Sequence, residues 1–576
     1  MDMTASNVPM LGTGRRLPNL WDIAAMLCVF GVLAGTTHVA QGTFTSIDAP
    51  GATEISLDPA NLPEYAVRTT LRMFAALFLS LVFTFTYGTA AAKSRRAGMI
   101  LVPILDVLQS VPILGFLTFT VVFFMSLFPG QVIGLELAAI FAIFTSQAWN
   151  MAFSMVQSLK TVPPDLLEAS NGFQLSAWQR FWRLEVPFAV PGLVWNTMIS
   201  MSGGWFFVVA SEAVSVGNST WKLPGIGSYV AVALEQRDIA AVLYAILAML
   251  AVILAYDQLL FRPLVAWSAK FRMETTAGAT ATDPWVLRLM RRTRLLAAIV
   301  DAIGNTAASV GRLRLSFLSP KATAPREASR VIDGVWLLVL AIVVAWIGWQ
   351  VALFGATELS GSDLMDALGL GLITFLRVAA MIVLASLVWV PIGVWFGLRP
   401  VWARRVQPVA QFLAAFPANL LFPPFVMTIV YFRLSPDIWL TPLMILGTQW
   451  YILFNVIAGA AAFPGDLREA SSSLQIGGWL WWRRVMLPGI FPHYITGAMA
   501  ASGGSWNAAI VAEVASWGDT KLTAHGLGAY IADATERGDI PRVLLGVIIM
   551  SAFVVLLNRV LWRPVQAYAG RWLTMS

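Results

Sequence analysis

The chain has 576 residues, of which 58 % are hydrophobic and only 12 % charged, and its mean hydropathy is +0.72. Soluble domains carry about 25 % charged residues, so this chain lacks the charge to cover a water-facing surface of its size; an ordinary soluble enzyme, a disordered chain and a collagen are excluded. The net charge of +7 invites a nucleic-acid partner, but the Lys and Arg residues fall in short clusters between apolar runs, which is the positive-inside pattern of a polytopic membrane protein in a lipid bilayer.

Apolar runs of about 20 residues, the length that crosses ~30 Å of hydrocarbon, begin near Leu20, Thr70, Met99, Val132, Ala189 and Ile239. Six more begin near Gly334, Leu372, Val409, Ile438, Ile490 and Arg542. The spacing predicts an all-α polytopic membrane protein of about 12 transmembrane helices. Arg15 and Arg16 precede the first run, Lys93, Arg95 and Arg96 follow the second, and Lys160, Arg180 and Arg183 follow the fourth, so these connectors are cytoplasmic. Acids gather in the alternate connectors, at Asp48, Glu54, Asp58 and Glu64 and again at Glu358, Asp363 and Asp366. Both termini are therefore expected in the cytoplasm. The Arg15-Arg16 pair also reads as a twin-arginine export signal, but eleven further spans follow and no small-residue cleavage site stands near His38 to Gln41.

The expected division is 1–272 for a first six-helix domain, 273–331 for a basic cytoplasmic linker and 332–576 for a second domain. Within the linker, Val286 to Ile303 carries Arg288, Arg291, Arg292 and Arg294 among Leu287, Met290, Leu295, Leu296 and Ile299. That composition fits a basic amphipathic helix on the inner leaflet and equally a charged linker that pins topology.

The halves are copies. At a constant offset of 301, Pro163 matches Pro464, Glu168-Ala169-Ser170 matches Glu469-Ala470-Ser471, and Pro187 matches Pro488. The register continues through Trp205 and Trp506, Glu212 and Glu513, Gly225 and Gly526, Gly227 and Gly528, to Arg262-Pro263 and Arg563-Pro564. Upstream the offset becomes 305, pairing Arg72 with Arg377 and Pro112 with Pro417. Each copy holds an even number of spans, so the copies run in the same direction, with a pseudo-two-fold axis along the membrane normal.

The connector after the fourth span reads Glu168-Ala169-Ser170-Asn171-Gly172 and closes on Val186-Pro187; its partner reads Glu469-Ala470-Ser471-Ser472-Ser473 and closes on Leu487-Pro488. This resembles the EAA loop of ATP-binding-cassette importer permeases, and the surrounding sequence is most similar to the nitrate, sulfonate, taurine and bicarbonate branch. The resemblance implies a type I importer-like fold of two fused permease domains in a bacterial inner membrane. It further implies a cytoplasmic ATPase dimer docked on the two loops, with ATP and Mg held by that partner, and an extracytoplasmic substrate-binding protein. Glu168, Ala169, Ser170, Gly172, Pro187, Glu469, Ala470, Ser471, Ser473 and Pro488 are the implied ATPase-coupling residues. Ser473 replaces the Gly of the family pattern; a Gly there adopts φ > 0 without strain and a Ser does not, so the two halves are expected to grip the ATPase unequally. Independently of the family, a short helix with aromatic anchors at the membrane face is suited to levering a bundle, and equally to resting in an aromatic belt.

No Gly-x-x-x-x-Gly-Lys-[Ser/Thr] loop occurs, so no ATPase activity and no cofactor are expected in this chain. His38, His493 and His525 are scattered without ligand spacing, Cys28 stands alone, and no metal site or catalytic constellation is expected. Ser202, Gly203, Trp205, Gly504, Ser505, Trp506 and Asn507 are pore or substrate candidates, with the two tryptophans as gates; close helix packing by small residues is the competing role. Glu212 and Glu513 are expected to cap a buried loop rather than touch substrate. Arg72 and Arg377, placed in the first turns of their spans, are expected to snorkel to headgroups, although an Arg fork also suits an oxyanion. Asp238 and Asp539 are placed in loops where they need only solvation. The expected function is the permease of an ATP-driven importer for a small oxyanion. Its rival is an ion-coupled secondary transporter without an ATPase, for which Glu212 and Glu513 are the symmetric titratable candidates.

Overall fold

A computed structural model describes residues 54–216, 219–271, 359–399, 418–461, 463–517 and 520–572 continuously, with scattered positions in 37–47, 293–353 and 401–416. The first span near Leu20, Arg15-Arg16, Cys28 and most of the Val286 to Ile303 linker segment lie outside the described residues.

In the first half, α1 (Leu62–Phe83), α2 (Arg95–Ser110), α3 (Ile113–Leu127) and α4 (Val132–Lys160) lead to a short helix α5 (Pro164–Gly172) and the long α6 (Val186–Glu212). An antiparallel hairpin, β1 (Ala213–Val216) with β2 (Ser219–Lys222), then turns into α7 (Ile226–Glu235) and α8 (Ile239–Tyr256). The second half repeats this as α9 (Gly361–Gly397), α10 (Phe422–Tyr431), α11 (Gln449–Ala461), α12 (Gly465–Ser473), α13 (Leu487–Ala512), β3 (Val514–Trp517) with β4 (Thr520–Thr523), α14 (Leu527–Arg537) and α15 (Ile540–Leu557). The protein is therefore a helical polytopic membrane protein with two small hairpins that hydropathy did not reveal. Among the described residues five helices are long and apolar enough to cross a membrane: Pro59–Lys93, Val132–Lys160, Ile239–Ser268, Gly361–Gly397 and Ile540–Ala569. A sixth candidate is the pair Pro436–Met444 and Gln449–Ala461, bent by 42°.

Prolines decide several boundaries. The apolar run from Met99 is not one helix, because Pro112 has no N–H and pushes Val111 into an extended conformation (φ −74°, ψ 125°), which separates α2 from α3. Four π-helical turns, Phe181–Glu185, Asp257–Phe261, Trp482–Met486 and Asn558–Trp562, each end two residues before a proline: Pro187, Pro263, Pro488 and Pro564. A proline inside a helix leaves the carbonyl four residues back without a donor and crowds it. The preceding turn opens to accommodate that, giving the Val186 N–H a bond to the carbonyl of Phe181.

Each half packs around its own pair of long helices, α4 against α6 and α11 against α13. The halves also interlock. Helix α3 of the first half lies against α13, α14 and α15 of the second, with Val111 and Phe119 packed on the second core. Conversely Leu420, Leu453, Phe454 and Ile457 of the second half are buried in the first core. Asp238 and Asp539 do more than sit solvated in loops: each caps the helix that follows, accepting from the N–H of Ala241 and of Arg542 respectively.

Candidate functional site

A buried polar constellation lies where α6 ends. Glu212 is fully buried; its Oε1 accepts from Thr69 Oγ1 and from Arg72 Nη1, both at 2.7 Å, and its Oε2 accepts from the Gly227 N–H at 2.7 Å. Thr69 in turn accepts from the Ile226 N–H at 2.9 Å. The carboxylate thus ties α1 to the first turn of α7, satisfying backbone donors that no helix carbonyl can reach. Glu513 does the same, accepting from Thr374 Oγ1 at 2.8 Å, Arg377 Nη1 at 3.3 Å and the Ala529 N–H at 3.0 Å, while Thr374 accepts from the Leu527 N–H. The glycines beside them follow from space, not backbone angle: a methyl group on Gly225 or Gly526 would collide with the Glu212 or Glu513 carboxylate.

The arginines do not snorkel. Because α1 and α9 begin earlier than the hydropathy implied, Arg72 lies about three turns into its helix and Arg377 more than four. Arg72 is 3 % exposed and forks onto Glu136, Nε to Oε2 and Nη2 to Oε1, both at 2.6 Å. Arg377 reaches Asp437 at 3.1 Å. Glu136 and Asp437 are equivalent at the offset of 301, so the acid at both places was visible in the repeat and was overlooked.

The pore candidates divide. Trp205 and Trp506 are packed in the core: Trp205 is fully buried with Nε1 donating to the Tyr256 hydroxyl at 2.9 Å, and Trp506, 1 % exposed, stacks on Phe553 with centroids 6.0 Å apart. Ser202 and Ser505 are buried and donate to carbonyls of their own helices, Met198 and Ala501. Gln147 and Gly204 are replaced in the second half by Thr448 and Ser505, whose hydroxyls lie 2.9 Å apart, so a large side chain facing a glycine has become two small polar ones. Among the contacts that bridge the halves, three lie on or beside the long helices. Asn507 Oδ1 accepts from the Ile113 N–H at 2.7 Å, capping α3 from across the interface, where the first half has Phe206. Trp195 packs on Phe454 with centroids 5.0 Å apart, and Gly203 faces Tyr451.

At the other end of the long helices, α5 and α12 carry the residues expected to couple to an ATPase. Glu168, Ala169, Glu469 and Ala470 are exposed, while Ser170 and Ser471 turn inward and donate to Leu167 and Arg468 carbonyls of their own helices. The two helices end identically. The left-handed residue is Gln174 (φ 51°) in one and Gln475 (φ 53°) in the other, two positions beyond Gly172 and Ser473. The Gly172-to-Ser473 change therefore does not fall where φ > 0 is needed, and it supplies no ground for unequal grip. Pro187 and Pro488 sit in the first turns of α6 and α13, behind the π turns. The halves do differ beside these helices. Lys93 pairs with Glu185 at 2.6 Å and Arg180 pairs with it at 3.2 Å, whereas the equivalent Leu398, Trp481 and Met486 are apolar and belong to or pack against the second core. The linker touches the first of these sites: Gln179 Nε2 donates to the Arg312 carbonyl at 3.0 Å.

Fold and site together define a duplicated polytopic membrane protein with two copies of one helical unit around a shared interface. The family model for the binding-protein-dependent transport system inner membrane component matches residues 65–261 and again residues 389–561. The chain belongs to that family, as two permease domains in tandem. It is similar to the bicarbonate transport system permease protein CmpB of Synechococcus elongatus, 26 % identical over 42 % of this chain and 90 % of that protein. It is also similar to the nitrate import permease protein NrtB of Leptolyngbya laminosa, 26 % identical over 32 % of this chain and 62 % of that protein. The taurine transport system permease protein TauC of Escherichia coli is 27 % identical over 27 % of this chain and 54 % of its own length.

Proposed function

We propose that this chain supplies two fused transmembrane domains of an ATP-driven importer for a small oxyanion, driven by an ATPase dimer that docks on α5 and α12 from the cytoplasm. An extracytoplasmic binding protein delivers the solute. ATP binding closes the ATPase subunits, the two short helices follow, and α6 and α13, joined to them through the π turns, swing the bundle open. The observation that carries this reading is the pair of matched, solvent-exposed helices ending in the same hydrogen-bonded turn at the same position of both repeats. The oxyanion class rests on what the bicarbonate and nitrate permeases are named for.

The ion-coupled rival needs a carboxylate free to load and release a proton. Glu212 and Glu513 are each held by an arginine, a threonine and a backbone N–H, which suits a structural lock and disfavours a carrier. The test is reconstitution of the full chain with its ATPase and binding protein, followed by uptake of nitrate, bicarbonate and taurine. Glu168→Lys combined with Glu469→Lys is expected to abolish ATP-driven uptake while the protein still inserts into the membrane. Unimpaired uptake by that double variant removes the coupling claim, and uptake of glycine betaine with none of the oxyanions removes the substrate class.

A further inference from the structure

One side chain stands between the two halves at equivalent positions. Gly203 on α6 and Gly504 on α13 correspond at the offset of 301. A methyl group built on Gly203 would stand 3.1 Å from the Tyr451 hydroxyl oxygen, and one built on Gly504 would stand 3.9 Å from Cε2 of the same ring. A ring in reach of the same position on two pseudo-symmetric helices lies at the pseudo-two-fold axis. The first half has Asn150 where the second has Tyr451, and Asn150 accepts from Gln109 Nε2 at 3.1 Å instead. Only one of the two equivalent positions can fill the axis, and the larger residue does.

The polar groups there are left available. Tyr451 is half-buried; its N–H donates to the Thr448 carbonyl and its carbonyl accepts from Asn455, but its hydroxyl has no hydrogen-bond partner among the described residues. Three residues before Gly203, and so on the same face of α6, Ser200 is 2 % exposed and its hydroxyl also has no partner among them. Buried hydroxyls are normally paired. Beside Gly504, a methyl group on Gly503 would meet nothing within 4 Å, so the helix leaves room on that side. A phenol and a serine hydroxyl both donate, and neither carries charge, which suits an anion that must be held and then released.

We propose that Tyr451 fills the translocation path on the pseudo-two-fold axis and, with Ser200, donates hydrogen bonds to the oxyanion that passes. This rests on the oxyanion reading above. The test is a thermal-stability titration of the full chain in lipid nanodiscs with potassium nitrate, sodium bicarbonate and taurine, each against chloride at equal ionic strength. A ligand that binds the folded state raises its stability in proportion to occupancy. Wild type is expected to respond to at least one of the three. Tyr451→Phe, which keeps the ring, is expected to raise the half-saturating concentration about tenfold, as loss of one hydrogen bond to a charged group does. Equal half-saturation for wild type and Tyr451→Phe overturns the inference, as does a wild type that responds to none of the three. Failure of ATP-driven uptake with a normal titration sinks the transport reading and leaves the site standing.

Discussion

The two halves hold the same buried arginine lock in two different states. In the first, Arg72 grips Glu136 with two bonds at 2.6 Å, and both side chains are shielded, at 3 % and 9 % exposure. In the second, Asp437 is one methylene shorter and Arg377 reaches it with a single bond at 3.1 Å; Asp437 is 41 % exposed. There His525 stands where the first half has Pro224, and its N–H and ring nitrogen both approach Asp437. The Glu212 and Glu513 contacts to threonine and backbone are nevertheless kept in both. Duplication has preserved the bonds that satisfy buried backbone donors, which have no substitute, and has let the ion pairs drift, because an ion pair can be loosened or exchanged for apolar contact at small net cost. The exchange of Lys93, Arg180 and Glu185 for Leu398, Trp481 and Met486 is the same lesson at the opposite end of the molecule.

The sharpest way to break this comparison is to remove each arginine in turn. Arg72→Ala strands two buried carboxyl groups and is expected to cost about 3–5 kcal/mol, seen as loss of folded protein from the membrane fraction and a collapsed melting temperature in detergent. Arg377→Ala strands one buried carboxyl group, Glu513, to which its bond is the longer one at 3.3 Å, and a second partner, Asp437, that water already reaches, so it is expected to cost less, about 3 kcal/mol, in the same measurement. Equal losses would show that the two locks carry equal load. A smaller effect is expected where side-chain size has been exchanged. A methyl on Gly204 would stand 3.1 Å from Gln147 Nε2, so Gly204→Ser alone is expected to cost about 1–3 kcal/mol by overpacking. Adding Gln147→Thr, which copies the second half, is expected to recover most of that, and a double-mutant cycle with no coupling would refute the exchange. The smallest concerns Trp506, whose indole N–H is buried without a partner among the described residues, while Trp205 has Tyr256. Leu557 occupies the equivalent of Tyr256, and Leu557→Tyr is expected to stabilise by about 1 kcal/mol, read as a rise in melting temperature.

Much of this was legible beforehand. The repeat register located α5 against α12 and Glu212 against Glu513 without coordinates, and the same register held Glu136 against Asp437. That pair does not stand out in the sequence, because an acid inside an apolar run points to a partner only once the arginine is placed deep in its helix. The arginines were misread because hydropathy alone starts a helix at its first apolar residue. It does not count the polar turns at Leu62 and Gly361 that carry α1 and α9 further out and place Arg72 and Arg377 deeper. The burial of the tryptophans is hidden in the sequence for a different reason: matched aromatic residues on matched helices suit gates and core alike, and which they face depends on helix rotation, which periodicity in a nearly uniform apolar helix does not set.

The sequence by itself determined that the chain lives in a membrane, that it is one unit written twice in parallel, and where the two matched, exposed short helices proposed to dock an ATPase lie. Those properties follow from charge content, offset and motif, which are one-dimensional quantities. Only the tertiary structure decided which face of α6 and α13 meets the axis. It also decided that Gly203 and Gly504 share Tyr451, and that Asn507 of one half caps a helix of the other. These depend on how the two copies interlock, and copies that match at one position cannot both occupy the axis between them, so the two halves had to differ there.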